Sequence, residues 1–237
     1  MAVKSSDLKL LGGWFSPVAT RVKIALNIKG LEYENIEEDL ESKSDLLLRS
    51  NPVYKKIPVL IHGGKPICES SIIVQYIDEV WSNNGPSILP QHTYDRAVAR
   101  FWASCIDDKL FACMRNILSG GEDEEEKKPH FEQLEEEVFV KLEEAFNKCS
   151  DGKLFFGGNN VGFLDIIFGS LLPFIRVIEE INEKKILVDE KFPKLANWAV
   201  HFAANSAVTG TLPEIDKLVL YTKPLAQKWA AAKAAAK

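Results

Sequence analysis

Residues 56–71 restrict the folds open to this chain more than any other stretch. Lys56-Ile57-Pro58-Val59-Leu60 runs through His62-Gly63-Gly64-Lys65 into Pro66-Ile67-Cys68-Glu69-Ser70-Ser71. Val59–Ile61 reads as a short apolar strand, 62–65 as a hairpin turn and Pro66–Cys68 as the returning strand. Glu69-Ser70-Ser71 then opens a helix whose apolar positions Ile73, Val74 and Ile77 recur at helical spacing. Pro58 cannot donate to a ladder, so it marks a strand start or a special turn, a cis bond being one way to make it. Such a bond leaves the Ile57 amide and carbonyl unpaired and facing outward. At the helix start, free N–H groups and the Ser70 hydroxyl can grip a carboxylate, while Glu69 can take an ammonium group. The block therefore suits an extended peptide with charged ends, and it suits a plain scaffold equally well.

The upstream segment decides between them. Leu8–Leu11 reads as a buried strand, and Ser16-Pro17 as the N-cap and first residue of a helix over Pro17–Lys29 that stops at Gly30. Tyr33–Glu37 follows as a strand, Ser44–Arg49 as a short helix and Asn51-Pro52 as a stop. Strand, helix, strand, helix, strand, strand, helix is the order of a thioredoxin-like domain. Redox members of that fold need a cysteine at the first helix N-terminus, where the helix end lowers thiol pKa. Here the run is Ser16-Pro17-Val18-Ala19. A serine forms no disulfide, but its hydroxyl can donate to another molecule's thiolate.

With these residues in place, the chain resembles the soluble plant glutathione transferases of the tau class. The likeness rests on Trp14-Phe15-Ser16-Pro17, Arg21–Leu26 with Lys29-Gly30, Asn51-Pro52 and Lys55–Leu60. It continues through Ile67-Cys68-Glu69-Ser70, Gln75-Tyr76-Ile77, Arg100-Phe101-Trp102-Ala103 and Gly162-Phe163-Leu164-Asp165. It spans nearly the whole chain in the family's order. Val18 and Phe111 depart from the pattern, which more often has an aromatic and a tyrosine there. Both departures lie toward the second substrate.

The resemblance implies an enzyme that adds the sulfur of reduced glutathione to hydrophobic electrophiles in detoxification and stress response, with glutathione peroxidase as a side activity. Ser16 would donate to the glutathione sulfur. Lys43 and Lys56 would pair with the glycyl carboxylate, Ile57 with the cysteinyl backbone, and Glu69 and Ser70 with the γ-glutamyl end. Phe15, Pro17, Phe111, Ala112, Arg115, Phe174 and Tyr221 would line an electrophile pocket between domains. Glutathione is a co-substrate, so neither a cofactor nor a metal is expected. The subunits would form a homodimer, with the acidic end of the third helix, Asp78 and Glu79, against the neighbour's Arg96 or Arg100. A non-catalytic carrier of apolar metabolites shares these features, and turnover separates the two. A glutathione-dependent thiol reductase needs a cysteine where Ser16 stands.

Composition agrees with this reading. A chain of 237 residues is long enough for one or two domains and a sizeable core. Its net charge of −5, with signs interspersed, gives no nucleic-acid footprint. No apolar run is long enough for a membrane span, and Met1–Asp7 lacks the apolar core of a signal peptide. The four cysteines, Cys68, Cys105, Cys113 and Cys149, form no Cys-x-x-Cys pair. Free thiols in a cytoplasmic protein are expected.

A polar, turn-rich stretch after Trp81 divides the chain into a thioredoxin-like α/β domain over 1–82, a linker over 83–91 and an all-α helical bundle over 92–237. Helices are expected over Tyr94–Ser119, Phe131–Lys148, Asp165–Glu180, Pro193–Asn205 and from Pro213. The run 120–126 reads as a break and an acidic helix start, and 230–237 as a frayed end. His62, His92, His130 and His201 are scattered, and the paired glycines are turns. Asp165 caps its helix alone, because Gly162 has no hydroxyl to complete a capping box.

Overall fold

The computed structural model describes residues 7–121 and 123–235. The expectations for the first six residues, for Glu122 and for the last two lie outside the described residues. The first half comprises β1 (Leu8–Gly12), α1 (Pro17–Ile28), β2 (Glu34–Glu37), α2 (Asp45–Ser50), β3 (Val59–His62), β4 (Lys65–Cys68) and α3 (Ser70–Val80). The strands form one sheet in the order β2-β1-β3-β4, with β1 parallel to β2 and antiparallel to β3. Gly63 and Gly64 join β3 to β4 with φ of 53° and 78°. Two successive positive φ values are the geometry of a two-residue hairpin turn that matches strand twist, and glycine adopts them without steric cost.

Both faces of the sheet are covered, which is why β1 is apolar without strict alternation. Leu8, Leu10 and Leu60 face Val22, Ala25, Ile73 and Ile77 of α1 and α3. Leu11, Val59 and Ile61 face Leu47 of α2. Period-2 side-chain geometry sends neighbours along each strand to opposite layers.

The second half is helical: α4 (Thr93–Cys105), α5 (Phe111–Ser119), α6 (Glu124–Glu132), α7 (Val140–Ser150), α8 (Phe163–Gly169), α9 (Leu172–Ile181), α10 (Pro193–Ala204) and α11 (Ile215–Ala235). The helix expected over 94–119 is continuous but contains a π-helical stretch, Ile106–Leu110. A second π-helical stretch, Gln133–Phe139, joins α6 to α7, so that helix starts at Glu124 rather than at Phe131. Asp123 caps it by accepting from the Glu126 N–H at 3.0 Å.

The single helix expected over 165–180 is broken between α8 and α9. Pro173 has no N–H to donate back to Gly169, so the helix restarts with Leu172 and Pro173 as its first residues. The end expected to fray is helical through Ala235, and Lys233 pairs with Glu126 at 2.6 Å.

Asp78 does not form an acidic surface at the end of α3. It is 6% exposed and pairs with buried Lys29 at 2.8 Å. It also accepts from the Ile88 and Leu89 N–H groups, both at 2.9 Å. Lys29 in turn donates to the Pro86 carbonyl. This buried pair fastens the ends of α1 and α3 to the segment that leads into α4. Glu79 remains exposed.

Candidate active site

Strand register assembles the site at one edge of the sheet. Gly12 ends β1 opposite Glu37, the end of β2. Leu11 pairs with Val59, the start of β3, and Val59 pairs with Cys68, the end of β4. The segments carrying Ser16, Lys43, Ile57 and Glu69-Ser70 therefore all leave or enter the sheet at that edge. Their separation in sequence, from 16 to 70, is removed by pairing alone.

Ser16 is the N-cap of α1, with extended φ and ψ of −89° and 114°, and is 5% exposed. Its Oγ accepts from the Ala19 N–H at 3.3 Å. Capping uses the oxygen as acceptor, so the hydroxyl proton stays available to a second molecule. The Trp14 N–H donates to Glu37 Oε2 at 2.8 Å, which ties the loop before Ser16 to the end of β2.

The Ile57–Pro58 bond is cis. Ile57 lies outside the ladder, and its backbone enters no hydrogen bond among the described residues. Its side chain is half-buried against the α2-side core. Lys43 and Lys56 are exposed and have no ion pair among the described residues. The Lys56 carbonyl accepts from Asn51 Nδ2 at 2.9 Å, which shapes the turn before Pro58.

Glu69 has φ of 69° and ψ of 113°, a conformation that costs a non-glycine residue about 1–3 kcal/mol. It sits between β4 and α3 with its side chain exposed. Ser70 begins α3 and is 7% exposed. Burial and the neighbouring Glu69 carboxylate push the Cys68 thiol up, so it stays protonated beside the site.

Arg21 is the residue beside the candidate site that reasoning from sequence missed. Only 1% exposed, it uses all five N–H groups. Nε donates to Ser170 Oγ at 3.1 Å, and Nη1 donates to Ser70 Oγ at 3.3 Å and Asp107 Oδ2 at 3.1 Å. Nη2 donates to Asp107 Oδ1 at 2.6 Å and to the Ile167 carbonyl at 3.3 Å. One guanidinium thus joins the start of α3 to the π-helical stretch after α4 and to α8. The signal in the sequence was an arginine among Val22, Ile24 and Ala25, on a helix buried on that side. Asp107 had no such signal, because its position depends on the π-helical turn.

Among the residues expected to line the electrophile pocket, Phe15 stacks on Tyr221 of α11 with ring centroids 4.5 Å apart and planes at 20°. Trp14 packs edge-on against both rings, and Lys217 Nζ lies 4.2 Å above the Trp14 ring. Burial, with Glu41 and Asp39 nearby, pushes the Tyr221 phenol up. Pro17 and Ala112 are half-exposed, and Phe111 and Arg115 exposed. Phe174 packs against the main core. The structure therefore joins Phe15 to Tyr221, while Phe111 and Phe174 make no ring contact with either among the described residues.

Asp165 does more than cap α8. It is fully buried and accepts four N–H bonds, from Phe156, Gly157, Gly162 and Trp198 Nε1, at 2.7–2.9 Å. Burial pushes its carboxyl up to about 6 against the opposite pull of those donors. No helix among the described residues is long and apolar enough to cross a membrane.

Comparison with known proteins agrees with this geometry. Residues 6–79 match the family described as glutathione S-transferase, N-terminal domain, and residues 104–205 match its C-terminal domain. The chain is 51% identical to glutathione S-transferase U18 of Arabidopsis thaliana over 224 residues, covering 94% of this chain and 98% of that one. It is 46% identical to a probable rice glutathione S-transferase, covering 97% and 98%. The tau-class glutathione S-transferase of mango superposes with a TM-score of 0.89 at 51% identity, covering 94% of this chain and all of that one. A rice glutathione S-transferase solved in complex with glutathione superposes at 0.85 with 35% identity, again covering 94% and all of that chain. By both domain matches and by near-full-length identity, the chain belongs to the glutathione S-transferase family, in its tau class.

Proposed function

We propose that Ser16 is the residue through which this glutathione S-transferase activates its co-substrate. The observation that carries the reading is the Ser16 hydroxyl, whose oxygen is engaged by the Ala19 N–H and whose proton has no acceptor among the described residues. A thiol of pKa ~8.5 is mostly protonated at neutral pH. A hydroxyl donor beside a helix N-terminus lowers that by roughly one to two pH units, about 1.4–2.7 kcal/mol, and raises the thiolate to roughly a quarter to three quarters of the population at pH 7. The thiolate then attacks the electrophile. With a halogenated aromatic, a C–S bond forms, the C–halogen bond breaks, halide leaves and the thiol proton goes to water.

The tripeptide lies along the sheet edge. The unpaired Ile57 backbone takes its cysteinyl unit in two strand-like bonds, and exposed Lys43 and Lys56 take the glycyl carboxylate. Ser70 already accepts from Arg21, so its own proton is directed at the γ-glutamyl carboxylate, and Glu69 takes the ammonium. Phe15, Pro17, Phe111, Ala112, Arg115, Phe174 and Tyr221 form the electrophile side, where apolar contacts discriminate weakly and admit many substrates, organic hydroperoxides included. Residues 1–82 form the glutathione-binding domain, 83–91 the linker and 92–237 the helical domain.

The working form is a cytoplasmic homodimer. Free cysteines among the described residues support a reducing compartment. Arg96 and Arg100 each use Nε within the subunit, on the Pro90 carbonyl and Gln75 Oε1, so their Nη groups remain to meet the partner's exposed acid at position 79.

The test of Ser16 is turnover of chlorodinitrobenzene by Ser16→Ala. With the fold intact and glutathione binding little changed, kcat is expected to fall by about two to four decades. Near-normal turnover across neutral pH removes Ser16 from the mechanism. Ser16→Cys is expected to lose conjugation and gain thiol exchange.

A further inference from the structure

We infer that Tyr221 and Lys217, one turn apart on α11, form an oxyanion-binding pair for electrophiles whose oxygen takes up charge when sulfur adds to them. The substrate class is the α,β-unsaturated carbonyl compounds. The inference rests on the Ser16 reading of the cleft and adds to it the groups that answer charge on the second substrate.

Residues four apart on a helix are neighbours, with Cβ atoms about 5–6 Å apart. Here both side chains also rest on one ring. Tyr221 meets Trp14 edge-on with centroids 5.4 Å apart, and Lys217 Nζ stands 4.2 Å from the Trp14 centroid. The stack of Tyr221 on Phe15 fixes the phenol a second time. Trp14 and Phe15 immediately precede Ser16, so the pair stands over the segment that carries the sulfur's donor. Leu218 and Thr222, next to each of the two on α11, are buried and hold the helix in place.

Both groups are donors to spare. Neither the Tyr221 hydroxyl nor the Lys217 ammonium has a hydrogen bond or ion pair among the described residues. Burial, with Glu41 and Asp39 nearby, keeps the phenol protonated. Of those acids, Glu41 pairs with Lys228 at 3.2 Å, and Asp39 accepts from the Glu41 N–H at 2.9 Å. Lys217 is therefore the charge left among these groups to meet a new anion. When the thiolate adds to the β-carbon of an enone, a C–S bond forms and the C=C and C=O π pairs each shift by one bond. The negative charge settles on the carbonyl oxygen, where the phenol O–H and the ammonium N–H stabilise it as preorganised donors. The α-carbon then takes a proton from water, replacing the one the thiol released.

The experiment compares benzylideneacetone, an enone, with benzyl chloride, which carries no oxygen and loses halide instead. Tyr221→Phe deletes one hydroxyl and keeps the ring. The ratio of kcat/KM for benzylideneacetone to that for benzyl chloride is expected to fall roughly ten- to a hundredfold. Lys217→Met keeps an apolar stem over Trp14 and should lower the ratio several-fold, while Lys217→Arg should keep the parent's ratio. Lys217→Met decides the matter if Tyr221→Phe does not fold. An unchanged ratio in either variant overturns the pair, because that side chain then only packs. Ser16→Ala should lower turnover of both substrates together, so a failure of the Ser16 reading shows as normal turnover in that variant and not as a change in the ratio.

Discussion

Arg21 of α1 and Asp107, in the π-helical stretch after α4, form a two-bond pair, with Nη2 to Oδ1 at 2.6 Å and Nη1 to Oδ2 at 3.1 Å. The arginine side chain is 1% exposed and the aspartate 39%, so the two partners stand to lose unequally. Removing the arginine leaves an acid that water can reach. Removing the acid leaves a charge buried with neutral acceptors only.

Asp107→Ala is therefore expected to destabilise the protein by about 1.5–3 kcal/mol, the loss of charge-assisted bonds to a buried arginine whose partner water already reaches. Because Arg21 Nη1 also holds Ser70, the Michaelis constant for glutathione should rise with it. Urea unfolding and glutathione saturation curves check the two effects. A variant with unchanged glutathione saturation would separate the pair from the site.

Glu69→Ala and Ser70→Ala are expected to raise the Michaelis constant for glutathione more than that for the electrophile. Each removes a charge-assisted bond worth roughly 1.5–3 kcal/mol, or about one to two decades in affinity. Tight binding of glutathione by both variants in calorimetry would move the site elsewhere.

Asp165 gives a pH dependence whose sign is set by its burial. Its folded-state pKa, about 6, lies above the ordinary aspartate value of 3.8. Its contribution to stability is thus full below about pH 4 and is lost as pH rises through about 6. Comparing the parent with Asp165→Asn in urea at pH 4.5 and 7.5, the parent's advantage is expected to shrink by about 2 kcal/mol at the higher pH. An advantage that grows with pH would mean that the four N–H donors outweigh burial.

At Gly169 an added Cβ would come within 2.2 Å of the Phe202 ring. Phe202 is fully buried and stacks with Trp198, so the ring has no room to yield. Gly169→Ala is expected to cost about 1–3 kcal/mol through overpacking at the α8–α10 contact. Thermal unfolding of that variant against the parent measures the effect.

Local pattern made much of this protein legible. Ser16-Pro17 announced the start of α1, Gly63-Gly64 the hairpin, and the apolar spacing of Ile73, Val74 and Ile77 the buried face of α3. Each depends on a few neighbouring residues and on backbone rules that hold in any fold. The π-helical stretch Ile106–Leu110 was not legible, because it answers to what packs across from it, whereas the break at Ser170-Leu171 is carried by Pro173 and so stands in the sequence. Asp78 shows the same limit. In sequence it is one acid beside another at a helix end, and in the fold it is buried against Lys29 while Glu79 stays in water. Arg21 marks the boundary most plainly. Its charge on an apolar helix face is visible in the sequence, but its acceptors at positions 70, 107, 167 and 170 come together only when the helical half docks on the sheet half. Backbone sterics and hydrophobic period act over a few residues, so the sequence by itself determined the strands, helix starts and turns that rest on them. Which polar groups share one buried space is a property of long-range packing, and the tertiary structure alone decided that.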